Sequence, residues 1–354
     1  NDTGIPSGVT LAFNGHLKTE NGVGIYVPKY ASLTAGNTTI DINGGTGIYI
    51  DEGTANLALG GNLIFNFGAN GGIGIFNNGG NMTVGNNAIV NGLGSFGVAK
   101  NGSWYSTGSF SVGEKSAGLL GEYDNSMLSP QNITNTGVIN VFFGGIGLAA
   151  IVGTTSPGFD VNIINTGTIT SSGQSSNNNL AIGIYSEVAD IVNSGNITVG
   201  SYGIGIYTNA GTTPVSIQND NINLIGVDGI GVYIKGATDG FTTNNINSAT
   251  AGNTGVVLEG TAGNINLGTI ALGDESIGVI AVYGTNATVN GNISVGDRSD
   301  TRNSVGIAVS LGTTLTIDPA AQISAGINGI GIYAETAATT VNIGDIGKVS
   351  VGDN

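Results

Sequence analysis

The stretch GIGIYTNAGTTPVSIQNDNINLIGVDGIGVY, residues 203–233, states one short motif twice, as GIGIY and then as GIGVY. The motif recurs along the whole chain. Aligned on its second glycine, it is clear at Gly24, Gly47, Gly74, Gly147, Gly183, Gly205, Gly231 and Gly331, and weaker at Gly97, Gly118, Gly255, Gly278 and Gly306. A repeat of this length marks a chain built from stacked supersecondary units, each burying its apolar face only against its neighbours.

Two further segments ride inside each period. One is an Asn-Gly motif, as in NTGVI (135–139), NTGTI (165–169), NSGNI (193–197) and NGNIS (290–294). The other is a Thr/Val alternation, as in TTPVSI (212–217), TTLTI (313–317) and TTVNI (339–343). Alternation over four to six residues with β-branched side chains means strands, and no 3.6-residue apolar period competes with it. The expected fold is all-β: a parallel β-helix of about thirteen rungs, each roughly 22–28 residues long with three short strands. That architecture lets residues 1–354 form one continuous element.

In GIGIY the two-residue period sets Ile204 and Ile206 on the inner face and Gly203, Gly205 and Tyr207 on the outer one. The glycines are expected to leave the outer face bare beside a side-chain column. That column reads Tyr26, Tyr49, Phe76, Ala99, Leu120, Ala149, Tyr185, Tyr207, Tyr233, Val257, Ile280, Ala308 and Tyr333. Asn at the Asn-Gly corners is expected to accept the left-handed conformation, and stacked Asn side chains to hydrogen-bond along the repeat.

Composition excludes several functions. There are 64 glycines, yet 40% of residues are hydrophobic and only 9% charged, the reverse of a disordered chain. With 8 Lys+Arg against 23 Asp+Glu the net charge is −15, and the cations are scattered, so a nucleic-acid partner is not expected. No cysteine is present to form disulfides, thiolate metal sites or a nucleophile. No apolar run approaches the roughly 20 residues of a membrane-spanning helix. The chain opens at NDTGIPSG and closes at VSVGDN, within its own repeat, and reads as a piece of a longer protein whose strand edges invite end-to-end self-association.

Catalytic chemistry has little to stand on. Glycoside hydrolysis needs two carboxylates held roughly 5–9 Å apart, whereas Asp228, Asp239, Asp274 and Glu275 lie singly in turns. The sole histidine, His16 in NGHLKTE, reads as a solvated edge residue. No GGxGxD series is present to bind calcium, and the GxG doublets run on into strand rather than into a helix, so no dinucleotide fingerprint exists. No enzyme, cofactor or metal is expected; a carbohydrate-active enzyme would require carboxylates clustered on one face once the rungs stack.

Three segments break the rhythm: 99–133, 171–180 and 296–304. The first holds the only tryptophan, in AKNGSWYSTGSFSVGEKS, followed by EYDNSMLSPQN. Insertions in repeat proteins map to loops, and loops carry binding. Trp104, Tyr105 and Tyr123 are therefore candidate contacts. Tyr185, Tyr207 and Tyr233 join them as an aromatic column on which sugars or apolar side chains could rest; the alternative is a structural ladder of rings packed on one another.

The mixture of GIGIY, NTGTI, SVGEKS and SVGDRS units, rich in Asn and Gly and free of Cys, resembles the passenger region of the large fusobacterial outer-membrane autotransporters. The resemblance covers essentially the whole chain. It implies a right-handed parallel β-helix at the bacterial cell surface, of the monomeric type V secretion class, attached to the membrane only through a C-terminal barrel domain that this chain lacks. It implies a virulence adhesin for host-cell receptors or glycans, or for partner bacteria. It supplies no binding motif that maps to individual positions. The alternative is a structural spacer presenting a distal binding domain.

Overall fold

A computed structural model of the chain describes residues 10–352 apart from 53, 58–61, 80, 86–87, 92–93, 114–115, 128, 174–179, 212, 337 and 344–347. It divides into two compact units, Asn1–Ile169 and Thr170–Asn354. Among the described residues there is no helix, and strands pair in parallel with the equivalent strand one turn away. Each unit is a parallel β-solenoid, and together they hold about 12 turns, close to the thirteen counted from the motif.

One turn of the second unit shows the construction. Ser216–Leu224 supplies a leading segment, 216–219, and a middle segment, 221–224; Ile230–Gly236 then supplies the glycine-motif segment. Where the chain passes from leading to middle segment the register shifts, as between Asn193 and Asn196. Each face contributes one dominant inward column. Ile191, Ile217, Phe241, Ile265, Val289 and Ile317 stack from the leading face. Ile197, Ile222, Ile246, Ile270, Ile293 and Ile323 stack from the middle face. Ile184, Ile206, Val232, Val256, Val279 and Ile307 stack from the glycine face. All are fully buried, each such side chain contributing about 1.5–3 kcal/mol on transfer from water.

The second glycine of the motif points into this core rather than leaving the outer face bare. A Cβ on Gly231 would lie 2.6 Å from Gly255 O and 3.0 Å from Ile246 Cγ2. One on Gly255 would lie 2.5 Å from Gly278 O and 2.8 Å from Ile270 Cγ2. Strict alternation breaks at this point: Gly231 and Val232 are both buried, while Ile230 is only half-buried. The missing side chain gives the middle-face isoleucines their space.

Corners use two chemistries. Between leading and middle segments a buried amide ladder runs along the second unit. Asn193 Nδ2 donates to Asn219 Oδ1 at 2.8 Å, and Asn219 Nδ2 donates to Thr243 Oγ1 at 2.8 Å. In the first unit Asn135 Nδ2 donates to Asn165 Oδ1 at 2.8 Å. The expected hydrogen-bonded Asn column therefore exists, but these Asn residues are not left-handed. Left-handed backbone falls at the other corners instead, at Asn21, Tyr202, Asp228, Glu275 and Asn328 ahead of the glycine face, and at Tyr30, Glu52, Asn101, Tyr283 and Leu311 behind it.

The segment 99–133 is not an irregular insertion. Ser103–Ser106, Ser109–Val112 and Ala117–Tyr123 are strands of the solenoid in register with their neighbours. The segment 171–180 lies mostly outside the described residues; 171 and 172 end the strand Thr168–Ser172. Residues 296–304 are a loop without strand. It folds back so that Arg302 Nη1 reaches Asp228 Oδ1, 74 residues earlier, at 2.5 Å.

Gly255→Ala is expected to destabilise the protein by about 1–3 kcal/mol, the range for overpacking a filled core. Gly211→Ala, where a Cβ meets nothing within 4 Å, is expected to change stability little. Denaturant unfolding of the two variants beside the wild type checks both.

Candidate binding surface

The outward column beside the glycine motif carries runs of aromatic rings in both units. In the second unit it runs Tyr185, Tyr207, Tyr233, Val257, Ile280, Ala308 and Tyr333, in the register expected from sequence. In the first unit it runs Tyr26, Tyr49, Phe76, Val98, Leu120 and Ala149. Val98 occupies the position expected for Ala99, which is fully buried. The slip arises because SFGVAK reverses the usual order: Phe96 takes the inward place of the motif glycine, and Gly97 takes the inward place of Ile75.

That reversal also explains Trp104. The space left by Gly97 is filled by the Trp104 ring, with which a Cβ there would collide. Trp104 is 1% exposed, paired between Met82 and Ile133. Tyr123 is fully buried, packs over Gly121 and donates its hydroxyl to Gly102 O at 3.1 Å; burial pushes that phenol up. Both belong to the core and present no surface to a partner. Tyr105 points outward at 43% exposure. It lines an open hollow of about 290 Å³ with Thr83, Ser103, Asn132 and Thr134.

The rings of the column pack on one another. Tyr26 and Tyr49 stack at 5.6 Å, and Tyr49 and Phe76 at 5.2 Å. Tyr185 and Tyr207 meet edge-on at 5.4 Å, as do Tyr207 and Tyr233 at 5.0 Å. Their hydroxyls are tied to acids: Tyr26 donates to Asp51 Oδ2 at 2.9 Å, Tyr185 to Glu187 Oε1 at 2.8 Å, and Tyr233 to Glu259. Burial, then the neighbouring carboxylate, pushes the Tyr185 and Tyr233 phenols up. The Tyr233 hydroxyl in turn holds Glu259 below the usual carboxylate range, and Lys235 pairs with Glu259 at 3.0 Å. Compared with protein-family models, with curated proteins and with solved structures, the chain matches none.

The most exposed tyrosines sit elsewhere, at corners. Tyr30 is 66% and Tyr283 63% exposed, and both have left-handed backbone. Their signal in sequence is weak: an aromatic directly before a small residue, KYAS and VYGT, one corner beyond the motif. Tyr30 follows Tyr26, itself 52% exposed, by four residues. Lys29 places its ammonium 5.4 Å from the Tyr30 ring centroid and pairs with Glu52. This corner of the first unit thus offers two exposed rings, a cation and the carboxylates Asp51 and Glu52.

His16 is exposed, its Nε2 2.7 Å from Asp41 Oδ2 one turn on. Asn66 Nδ2 donates to the other Asp41 oxygen at 2.7 Å. Asn66, then His16, holds the Asp41 carboxyl below its ordinary value. Lys18, Asp41, Asn43 and Asn66 line an open hollow of about 570 Å³. Among the described residues, no group of three or more His, Asp or Glu side chains is placed to hold a metal ion.

The Asp124 carboxylate is held by three hydrogen bonds. Ser126 Oγ and Asn101 Nδ2 donate to its Oδ1, as does the Ser126 backbone N–H, and these bonds pull it down to about 2. A carboxyl depressed in the folded state adds stability above its unfolded value, near 4, and that stability is lost as pH falls through about 2. Asp124→Asn is therefore expected to lower stability at neutral pH and to lose less than the wild type between pH 4 and pH 2. Unfolding curves across that window, compared between the two proteins, test the assignment.

Proposed function

We propose that the chain is a passenger segment of a bacterial surface adhesin, attaching to a host-cell protein or glycan, or to partner bacteria. The supporting observation is the corner built from Tyr26, Lys29 and Tyr30, where two aromatic rings more than half exposed stand beside a cation and two carboxylates. Such a group matches what a sugar or an apolar side chain needs. The ring face takes the C–H face, and the hydroxyls, ammonium and carboxylates take polar groups. The solenoid holds these side chains on strands and their corners. The repeat style it shares with fusobacterial autotransporter passengers supports the same reading, including display at the cell surface.

A second reading, a structural spacer, is favoured by the burial of Trp104 and Tyr123 and by the ring-on-ring packing of the tyrosine column. These aromatics stabilise the coil whether or not it touches a partner.

Binding of the labelled chain to epithelial cells, immune cells and partner bacteria separates the two, with heat-unfolded protein as control. Saturable binding that weakens about tenfold in Tyr26→Ala/Tyr30→Ala, the scale of a binding hot spot, is the expected result. Absence of binding to all of them supports the spacer.

A further inference from the structure

The middle face of the second unit carries a surface that adhesion through the first unit does not use. Its strands present two outward positions each on seven successive turns, from 196–199 to 348–351, and the pairing register aligns these positions into two columns. One column begins Asn196, Asn221, Asn245; the other includes Asn223, Asn247 and Ser294. Of all the outward positions in both columns only Lys348 is charged; the others are Asn, Gln, Thr, Ser and one Ala.

Two properties of this patch bear on what it can meet. It is free of carboxylates in a chain of net charge −15, so two anionic molecules meeting there set no like charges of acids against each other. Part of its hydrogen-bonding capacity is also unspent. Asn245 Nδ2 donates to Asn221 Oδ1 at 2.9 Å and Ser324 Oγ donates to Ile293 O at 3.5 Å, but among the described residues the side chains of Asn196, Asn223, Asn247 and Ser294 bond to no other group of the chain.

We propose that this face is a homotypic contact, through which two copies of the chain associate side by side. Amides and hydroxyls carry donors and acceptors alike, so the array is complementary to itself. A second copy also has the same turn-to-turn spacing, which keeps one column in step with the other over every turn. A two-fold axis between the copies makes the contact isologous. Seven strands at about 4.8 Å and four residues per strand give a patch on the order of 400 Å² per copy. That is about half of a standard interface side. The contact is therefore weak between free molecules and gains strength where many copies are held close together.

Sedimentation equilibrium of the whole chain, from micromolar to millimolar concentration, tests this. The wild type is expected to form dimers at the upper end, more readily as salt screens its net charge. Asn223→Asp/Asn247→Asp/Ser294→Asp sets like charges opposite one another and is expected to weaken dimerisation at least about tenfold, with an unchanged circular dichroism spectrum. Val349→Lys/Val351→Lys alters instead the inward residues left exposed on the last turn, and is expected to leave dimerisation intact. Three results overturn the proposal: a wild type monomeric throughout, a triple variant that associates like the wild type, or association lost only in the Val349/Val351 variant, which places the contact end to end. Retention of the wild type by a neutral polysaccharide, lost in the triple variant while dimerisation is unaffected, overturns it as well and makes the array a glycan surface.

Discussion

The fold depends on a side chain that is absent. In most turns one inward position on the glycine face has no Cβ, and there the isoleucines of the middle face and the carbonyl of the next turn come to within van der Waals contact of the backbone. Gly231 against Ile246 and Gly255 against Ile270 are the same contact one turn apart. Three sheets can enclose a filled interior only if their inward volumes sum correctly, and the glycine column sets that sum. Everything outside the core inherits its spacing from this repeat.

The turn at 95–100 shows the rule by exchanging its parts. Phe96 fills the glycine place and stacks on Phe110 at 4.9 Å, while Gly97 opens the neighbouring place and Trp104 enters it. Volume moves from one face to another and the register of hydrogen bonds holds. The tryptophan that breaks the sequence rhythm is thus a packing compensation, its indole N–H left without a partner in the core.

Polar columns complete the structure in two different ways. The buried Asn193–Asn219–Thr243 ladder satisfies its own groups from turn to turn, as a polar group inside a core must. The exposed columns of the middle face do so only in part, as between Asn221 and Asn245, and the Tyr column is intermediate, its rings on one another and its hydroxyls on Asp51, Glu187 and Glu259. Ladders that satisfy themselves stabilise the coil. Among the described residues, polar side chains remain without a partner in the chain where they do not, on the middle face, and a corner turns an aromatic outward at Tyr30 and Tyr283.

Strand content, parallel stacking and most of the outward column were legible in the sequence because the repeat is regular and the strand period is two. From Tyr185 to Tyr333 every member of that column stands where the motif puts it. Other features belong to contacts between residues far apart in the chain, which a linear pattern does not encode. Whether a glycine faces in or out depends on the side chain opposite it on another sheet. Trp104 is buried because of Gly97, and Arg302 is fixed by Asp228 three turns away. From sequence alone the chain is determined as a parallel coil with a tyrosine-bearing face. Which aromatics remain at the surface was decided only in three dimensions, where each face must fit the volume left by the other two.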